Sequence, residues 1–440
     1  MIRHRPRGAG ATVGVTALAL LLTACATDTA TDAAASPEAP STTVVTDTAP
    51  ATTAPTLSPE EQQRLDTELI AAAWADDVPA ARELIARGAD VNATDDTVQS
   101  AYLIATSEGY TELLDLTLAN GADMSSLDSY DGTGLIRAAE RGHADIIGRL
   151  IRHDVEIDHV NNLGWTGLHE ALIFADQAGR PARGNSTDFV DTVRVIVAAG
   201  GDLTIPAQLD GATPLELARR HGLTAQASLI EQAVAADATD RGTQADADAE
   251  LLQAAVSGDT DAAALALRRG ADIETRNAQG QTPLVVATKN NHPRVAALLL
   301  YLGGDPDAQD DIRDSAFLYA GAEGYDEILA MTLAHGADVT STNRFGGTAL
   351  IPAGEGGYAS TAQILVDAGV PVDHVNDLGW TALHEAIIYG DGTGGHLETI
   401  RILLAGGADP TLPDGDGTSP RDLAAARGQE RVVALLEQTP

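Results

Sequence analysis

Apolar and polar positions recur along most of this chain with a period of 33 residues. Aligned on a recurring small hydroxyl residue, the units begin at Thr67, Ser100, Thr133, Thr166 and Thr213, then at Ala249, Thr282, Ser315, Thr348, Thr381 and Ser419. The spacing departs from 33 in three places: 47 after Thr166, 36 after Thr213 and 38 after Thr381. Within a unit the pattern predicts two short helices. The first is typified by Thr282 to Asn290, where Pro283 suits a first helical turn. The second is typified by Pro293 to Leu302. Glycine then stops it, in Gly88-Ala-Asp, Gly121-Ala-Asp, Gly270-Ala-Asp, Gly336-Ala-Asp and Gly407-Ala-Asp. Glycine supplies a left-handed cap at such ends. A lone helix pair cannot bury its own apolar stripe, so the pattern predicts eleven pairs that stabilise one another by stacking.

The array is itself duplicated. Asp66–Asp96 aligns with Asp248–Ala278 without gaps at an offset of 182, and Val98–Phe174 aligns with Arg313–Tyr389 at an offset of 215. The difference is one unit, so the second half reads as the first plus an inserted unit, Gly280–Ile312. This divides the chain into a first array of five units at 61–235, a junction at 236–247 and a second array of six units at 248–440. The junction lacks the Gly-Ala-Asp turn but exceeds the period by only three residues, which predicts one near-continuous array with a kink. The alternative is two solenoids meeting at a hinge.

Two near-copies carry the strongest motif: Gly164-Trp-Thr-Gly-Leu-His-Glu-Ala-Leu-Ile-Phe174 and Gly379-Trp-Thr-Ala-Leu-His-Glu-Ala-Ile-Ile-Tyr389. Thr-x-Leu-His-x-Ala at a period of 33 resembles the ankyrin-repeat signature Thr-Pro-Leu-His-x-Ala. The resemblance implies an all-α ankyrin-repeat solenoid of about eleven repeats with short β-hairpin fingers between them. It also implies a structural role for His169 and His384, and a binding surface rather than an enzyme.

Composition narrows the picture. Aromatic residues make up only 3% of the chain, so a core must be built from Ala, Leu, Ile and Val. The formal charge is −37, which argues against nucleic acid as a partner because phosphate needs clustered cations. It permits a basic protein partner. Part of the acidity belongs to the recurring Gly-Ala-Asp turns and is therefore scaffold.

Cys25 is the only cysteine, so no internal disulfide forms. It follows Arg3, Arg5 and Arg7, an apolar run from Ala11 to Leu22, and Thr23-Ala24. That run is too short for a permanent membrane span and suits a secretory leader. Leu22-Thr23-Ala24-Cys25 resembles the lipobox of bacterial lipoproteins. The resemblance implies removal of 1–24 and acylation (palmitate or a related chain) of Cys25. Loss of the three arginines takes the formal charge to −40. Residues 25–60 are rich in Ala, Thr, Asp, Ser and Pro and predict a disordered tether. Its reach is on the order of 30 Å as a flexible coil. The expected location is the extracytoplasmic face of a bacterial membrane, either the cell membrane or, in a two-membrane cell, the outer membrane or periplasm.

Catalytic signatures are missing. Glu170 and Glu385 follow the motif histidines, but a zinc-protease helix needs a second histidine three residues later. No serine-nucleophile elbow, phosphate loop or calcium loop is present. No metal or cofactor is expected. The distinctive stretch precedes the motif: Asp158-His-Val-Asn-Asn-Leu-Gly-Trp165 and Asp373-His-Val-Asn-Asp-Leu-Gly-Trp380. Its candidate partner-binding residues are Trp165, Trp380, His159, His374, Asn161 and Asn376. An exposed Trp suits a binding hot spot, and the alternative is that it covers a neighbouring repeat. Links after the motif are enlarged at Ala175–Asp191 and Gly390–Glu398, a second candidate region. The expected function is protein–protein interaction outside the cytoplasm. The alternative is a receptor or chaperone-like module for a small or cell-wall ligand, built on the two Trp units.

Overall fold

The computed structural model describes residues 57–175, 189–239 and 242–438. The leader, Cys25 and nearly all of the tether lie outside them, as does 176–188 in the first enlarged link, with Arg180, Arg183, Asn185 and Asp188. Among the described residues no helix is long and apolar enough to cross a membrane.

Twenty-two helices among the described residues pair into eleven units. The first array holds α1 (Pro59–Trp74) with α2 (Val78–Ala86), α3 (Ala101–Glu108) with α4 (Thr111–Ala119), and α5 (Gly134–Arg141) with α6 (Ala144–Arg152). It closes with α7 (Gly167–Ala175) and α8 (Phe189–Ala198), then α9 (Pro214–Arg220) and α10 (Thr224–Asp237). The second array opens with α11 (Gln244–Ser257) and α12 (Thr260–Arg268), α13 (Pro283–Lys289) and α14 (Pro293–Tyr301), and α15 (Ala316–Glu323) and α16 (Asp326–Ala334). It ends with α17 (Leu350–Gly356) and α18 (Ala359–Asp367), α19 (Ala382–Tyr389) and α20 (Gly394–Ala405), and α21 (Pro420–Ala426) and α22 (Glu430–Leu436).

Most of the periodic hydroxyls work as helix caps; Thr348 does not, and its buried hydroxyl has no partner. The side chains of Ser100, Thr133, Thr282 and Ser315 each accept a hydrogen bond from the backbone N–H three residues on. The two units that open the arrays differ. Thr67 and Ala249 fall inside helices that start earlier, at caps on Ser58 and Thr243, with Glu61 and Asp246 completing capping boxes.

Second helices are clamped to the unit before them. His143 Nε2 lies 3.1 Å from the Ser107 carbonyl, His292 Nε2 3.1 Å from that of Val256, and His396 Nε2 2.9 Å from that of Glu355. Gln429 plays the same part at the C-terminal end, donating to the carbonyls of Ile387 and Gly390 at 2.8 Å. The His143 clamp explains Gly109. Its φ is +78°, and a Cβ there would meet the imidazole at 2.8 Å.

The enlarged link at 390–398 is shorter than expected. α20 starts at Gly394, so only 390–393 are non-helical, and Asp391 closes them by accepting from Thr393 N at 2.9 Å. Glycine permits this: a Cβ at Gly395 would sit 2.4 Å from the Gly357 carbonyl oxygen.

The expectation of one near-continuous array is corrected. α11 packs on α12 and α13 rather than continuing the stack of first helices from α9, and the backs of the two arrays meet. α8 packs on α12 and α14, and α6 on α14. Gly148 in α6 allows the closest approach, because a Cβ there would meet the Tyr301 carbonyl oxygen of α14 at 2.4 Å. Buried Arg149 and half-buried Arg194 and Arg268 stitch the seam. Arg149 binds Asp115 at 2.8 Å within its own array and donates to the Ala334 carbonyl of the other at 2.8 Å. Arg194 pairs with Asp261 at 2.6 Å. Arg268 reaches back to Asp237 at 2.6 Å and to the carbonyls of Val197 and Gly201. Second-helix layers therefore face each other, and the first-helix layers of the two arrays face away from each other.

Candidate functional site

The fingers show why the chain is so acidic. Asp123, Asp202, Asp272, Asp338 and Asp409 of the glycine turns each accept from the backbone N–H two residues on. Their own N–H groups donate to Asn92, Asp158, Asp307 and Asp373 of the preceding unit or, for Asp272, to Asp248 on the first helix of its own unit. A second set, Asp95, Asp128, Asp310, Asn343 and Asp414, closes the finger tips in the same way. Much of the negative charge is thus committed to turn geometry.

Asn161 and Asn376 belong to that second set. Asn161 Oδ1 accepts from the N–H groups of Leu163 and Trp165, at 3.1 and 3.0 Å. Asn376 Oδ1 accepts from Leu378 and Trp380, both at 3.0 Å. What distinguishes this pair is the partner of the amide, a buried glutamate. Asn161 Nδ2 donates to Glu170 Oε1 at 2.9 Å, and Asn376 Nδ2 to Glu385 Oε1 at 3.1 Å. His159 and His374 pin their fingers to the preceding ones, with Nε2 at 2.8 Å from the Asp131 carbonyl and 2.6 Å from that of Gly346. Trp165 and Trp380 are half-buried rather than exposed. Trp165 packs against the core and leaves one side free.

That free side walls a cleft of about 240 Å³ on the first-helix face of α5 and α7. Tyr130, Ile136, Leu163 and Phe174 supply further apolar walls, and Asp128, Arg137, Glu140 and Glu170 the charge. Arg137 is bound on both sides, to Asp128 at 3.3 Å and to Glu140. Glu170 is only 4% exposed and its Oε2 has no hydrogen-bond partner. Burial pushes its pKa up to about 7, helped by Glu140 and opposed by Asn161 and Arg137. Glu385 repeats this: it is 5% exposed, with Oε2 unpartnered and a pKa raised to about 7 by burial and then by Glu355. The 215-residue register sets Phe345, Ile351, Glu355, Leu378, Trp380 and Tyr389 at the matching positions of the second array.

His169 and His384 stay in the scaffold. Each is buried, with Nδ1 at 2.8 and 2.9 Å from the hydroxyls of Thr166 and Thr381. Burial lowers their pKa, while the carbonyls of Ile205 and Leu412 in the following unit oppose that. Among the described residues no group of three or more His, Cys, Asp or Glu could hold a metal ion. The site residues that the sequence reading missed are the two buried glutamates and the aromatic walls. A usable signal existed: Glu follows the motif His in both copies, on the first helix, and an aromatic residue stands four positions further on.

The family model described as ankyrin repeats in three copies matches residues 102–179, 224–310 and 316–414, and the single ankyrin-repeat model matches 65–96. The chain belongs to the ankyrin-repeat family. Ankyrin arrays are protein-interaction modules and typically non-catalytic scaffolds. Among solved structures, an ankyrin repeat domain from Acinetobacter baumannii AYE is similar at 47% identity, covering 43% of this chain and 96% of that one, with a TM-score of 0.42. The ankyrin repeat protein EF0377 is similar at 35% identity, covering 44% of this chain and 98% of that one, with a TM-score of 0.43. No curated protein matches the chain.

Proposed function

We propose that this chain is an extracytoplasmic lipoprotein, anchored through Cys25, whose ankyrin array holds a protein partner on its two outward first-helix faces. The lipobox-like Leu22-Thr23-Ala24-Cys25 supports the anchor. The observation that carries the binding reading is the cleft beside Trp165, with its finger-tip surroundings. Tyr130 and Leu163 stand exposed on consecutive fingers, as do Ile312, Phe345 and Leu378 on the second array. Exposed aromatic and aliphatic residues around a half-buried Trp suit an interface core.

At the Trp165 cleft, size favours an inserted protein side chain over a free small ligand. Pockets for small molecules run to roughly 300–1,000 Å³, whereas this cleft of about 240 Å³ suits one inserted side chain. The test is crosslinking mass spectrometry on intact cells with wild type and with Trp165→Ala plus Trp380→Ala. Loss of a crosslinked partner in the variant is expected, and an unchanged set of partners contradicts the reading. Fractionation tests the anchor separately. Cys25→Ser should be released or left unprocessed, and processed protein still on the membrane would rule out acylation at Cys25.

A further inference from the structure

The seam between the two arrays holds a titratable ring that the cleft beside Trp165 does not use. His335 caps the C-terminal end of α16 and faces the first array across a groove of about 780 Å³. Its ring is fixed in one orientation. Nδ1 lies 2.8 Å from the Met331 carbonyl and so carries the proton, and the ring stands against that of Tyr301 in α14 with centroids 5.8 Å apart. Nε2 is buried and has no hydrogen-bond partner, which suits a neutral imidazole with a bare lone pair. Two cations of the first array crowd the same place. Arg149 of α6 donates to the carbonyl of Ala334, the residue before His335. Arg152, three residues on, lies over Gly303 of the second array, where a Cβ would meet its Cδ at 3.0 Å.

We propose that His335 is an acid-sensitive latch of the fold-back: neutral, it lets the backs of the two arrays close, and protonated, it loosens them. A second proton on Nε2 finds no acceptor and puts a charge in the seam beside two guanidinium groups. Burial, and after it Arg149 and Arg152, hold the pKa of the ring below its ordinary value, while the Met331 carbonyl and Asp145 oppose them. The carboxylates of the groove are placed elsewhere. Asp115 binds Arg149 at 2.8 Å, Asp145 accepts from Thr111 at 3.1 Å, and Asp76 and Glu112 line the groove without reaching Nε2. Of the helices packed on α16, α14 brings Tyr301 and also Arg294, which pairs with Asp191. α15 brings Tyr319 and Glu323 and α18 brings Asp367, none of them among the main influences on the ring. Asp326 and Glu327 of α16 itself lie in its first turn, at the far end. A ring that binds its proton less tightly in the closed state than in the open one favours opening as pH falls from above 6.5. Glu170 and Glu385 have the opposite sign and sit on the outward faces, so they do not mimic this response. The latch needs neither the lipid anchor nor a partner.

The test is hydrogen–deuterium exchange of the full-length chain at about pH 8 and about pH 5, with rates corrected for the intrinsic pH dependence of amide exchange. Peptides from α6 and α14, which pack on each other across the seam, should exchange severalfold faster at the lower pH. Those from the first helices α5 and α17 should show no such gain. His335→Phe keeps a ring beside Tyr301 but cannot titrate, and should remove the response. His335→Arg carries a permanent charge and should give the faster exchange already at about pH 8. Arg152→Gln is the milder companion should either variant misfold: it takes away one repelling cation and should weaken the response. Equal corrected rates at the two pH values, slower exchange of α6 in acid, or a response that survives in folded His335→Phe overturns the proposal.

Discussion

Glu170 and Glu385 hold their protons because of burial. Each is nearly buried with one carboxylate oxygen unpartnered, and each titrates near pH 7 instead of near its ordinary 4.5. A raised carboxyl pKa means that the folded state holds its proton more tightly than the unfolded state. Stability therefore falls as pH rises from about 4.5 to about 7 and levels off above that. The cost at pH 8 is on the order of 3 kcal/mol for each glutamate. Glu170→Gln and Glu385→Gln should accordingly raise the thermal midpoint at pH 8 and change it little at pH 4, as followed by circular dichroism. A gain of equal size at both pH values would contradict the assignment. Asn161 and Asn376 should behave oppositely. Replacing either with Ala leaves two finger N–H groups and a buried carboxylate without their partner, and should cost about 1–3 kcal/mol in urea unfolding. A neutral effect would mean that water replaces the amide.

At the scale of elements, the helix pair was legible because its signals are local. A hydroxyl three residues ahead of a bonded N–H, a glycine at the stop and a 33-residue apolar period each act within one unit or between neighbours. The same signals misplace α1 and α11, which are not preceded in sequence by a Gly-Ala-Asp turn and extend to capping boxes at Ser58 and Thr243. The site was half legible. The finger ahead of each Trp stood out because it is duplicated, yet His159, His374 and the Asn Oδ1 atoms turned out to be engaged in holding the fingers. The cleft beside them depends on residues 28–35 positions earlier in the chain, such as Tyr130 and Arg137, which no single motif contains. The ring clamps are a testable property of the elements. His143→Ala removes the bond to Ser107 and leaves space over Gly109, and should lower stability by about 1–3 kcal/mol while keeping helicity.

At the scale of the molecule, the fold-back was hidden because nothing in a 33-residue pattern marks the outer face of one array as complementary to another. Only the result identifies it: Gly148 against the Tyr301 carbonyl, and Arg149, Arg194 and Arg268 reaching across. Gly148→Val should push the backs apart, at about 1–3 kcal/mol for the overpacked seam. A larger radius of gyration by small-angle scattering with unchanged helicity is the expected readout, and an unchanged radius would contradict the seam. With the backs joined, the two outward faces are the ones expected to hold the partner. A photo-crosslinking amino acid placed at Tyr130, at Phe345 and, as a control, at exposed Arg401 on the second helix α20 of the full-length protein in its own cells distinguishes these faces from the rest of the surface. Partner adducts are expected from positions 130 and 345 and none from 401. Adducts from 401 with none from 130 or 345 would contradict this expectation.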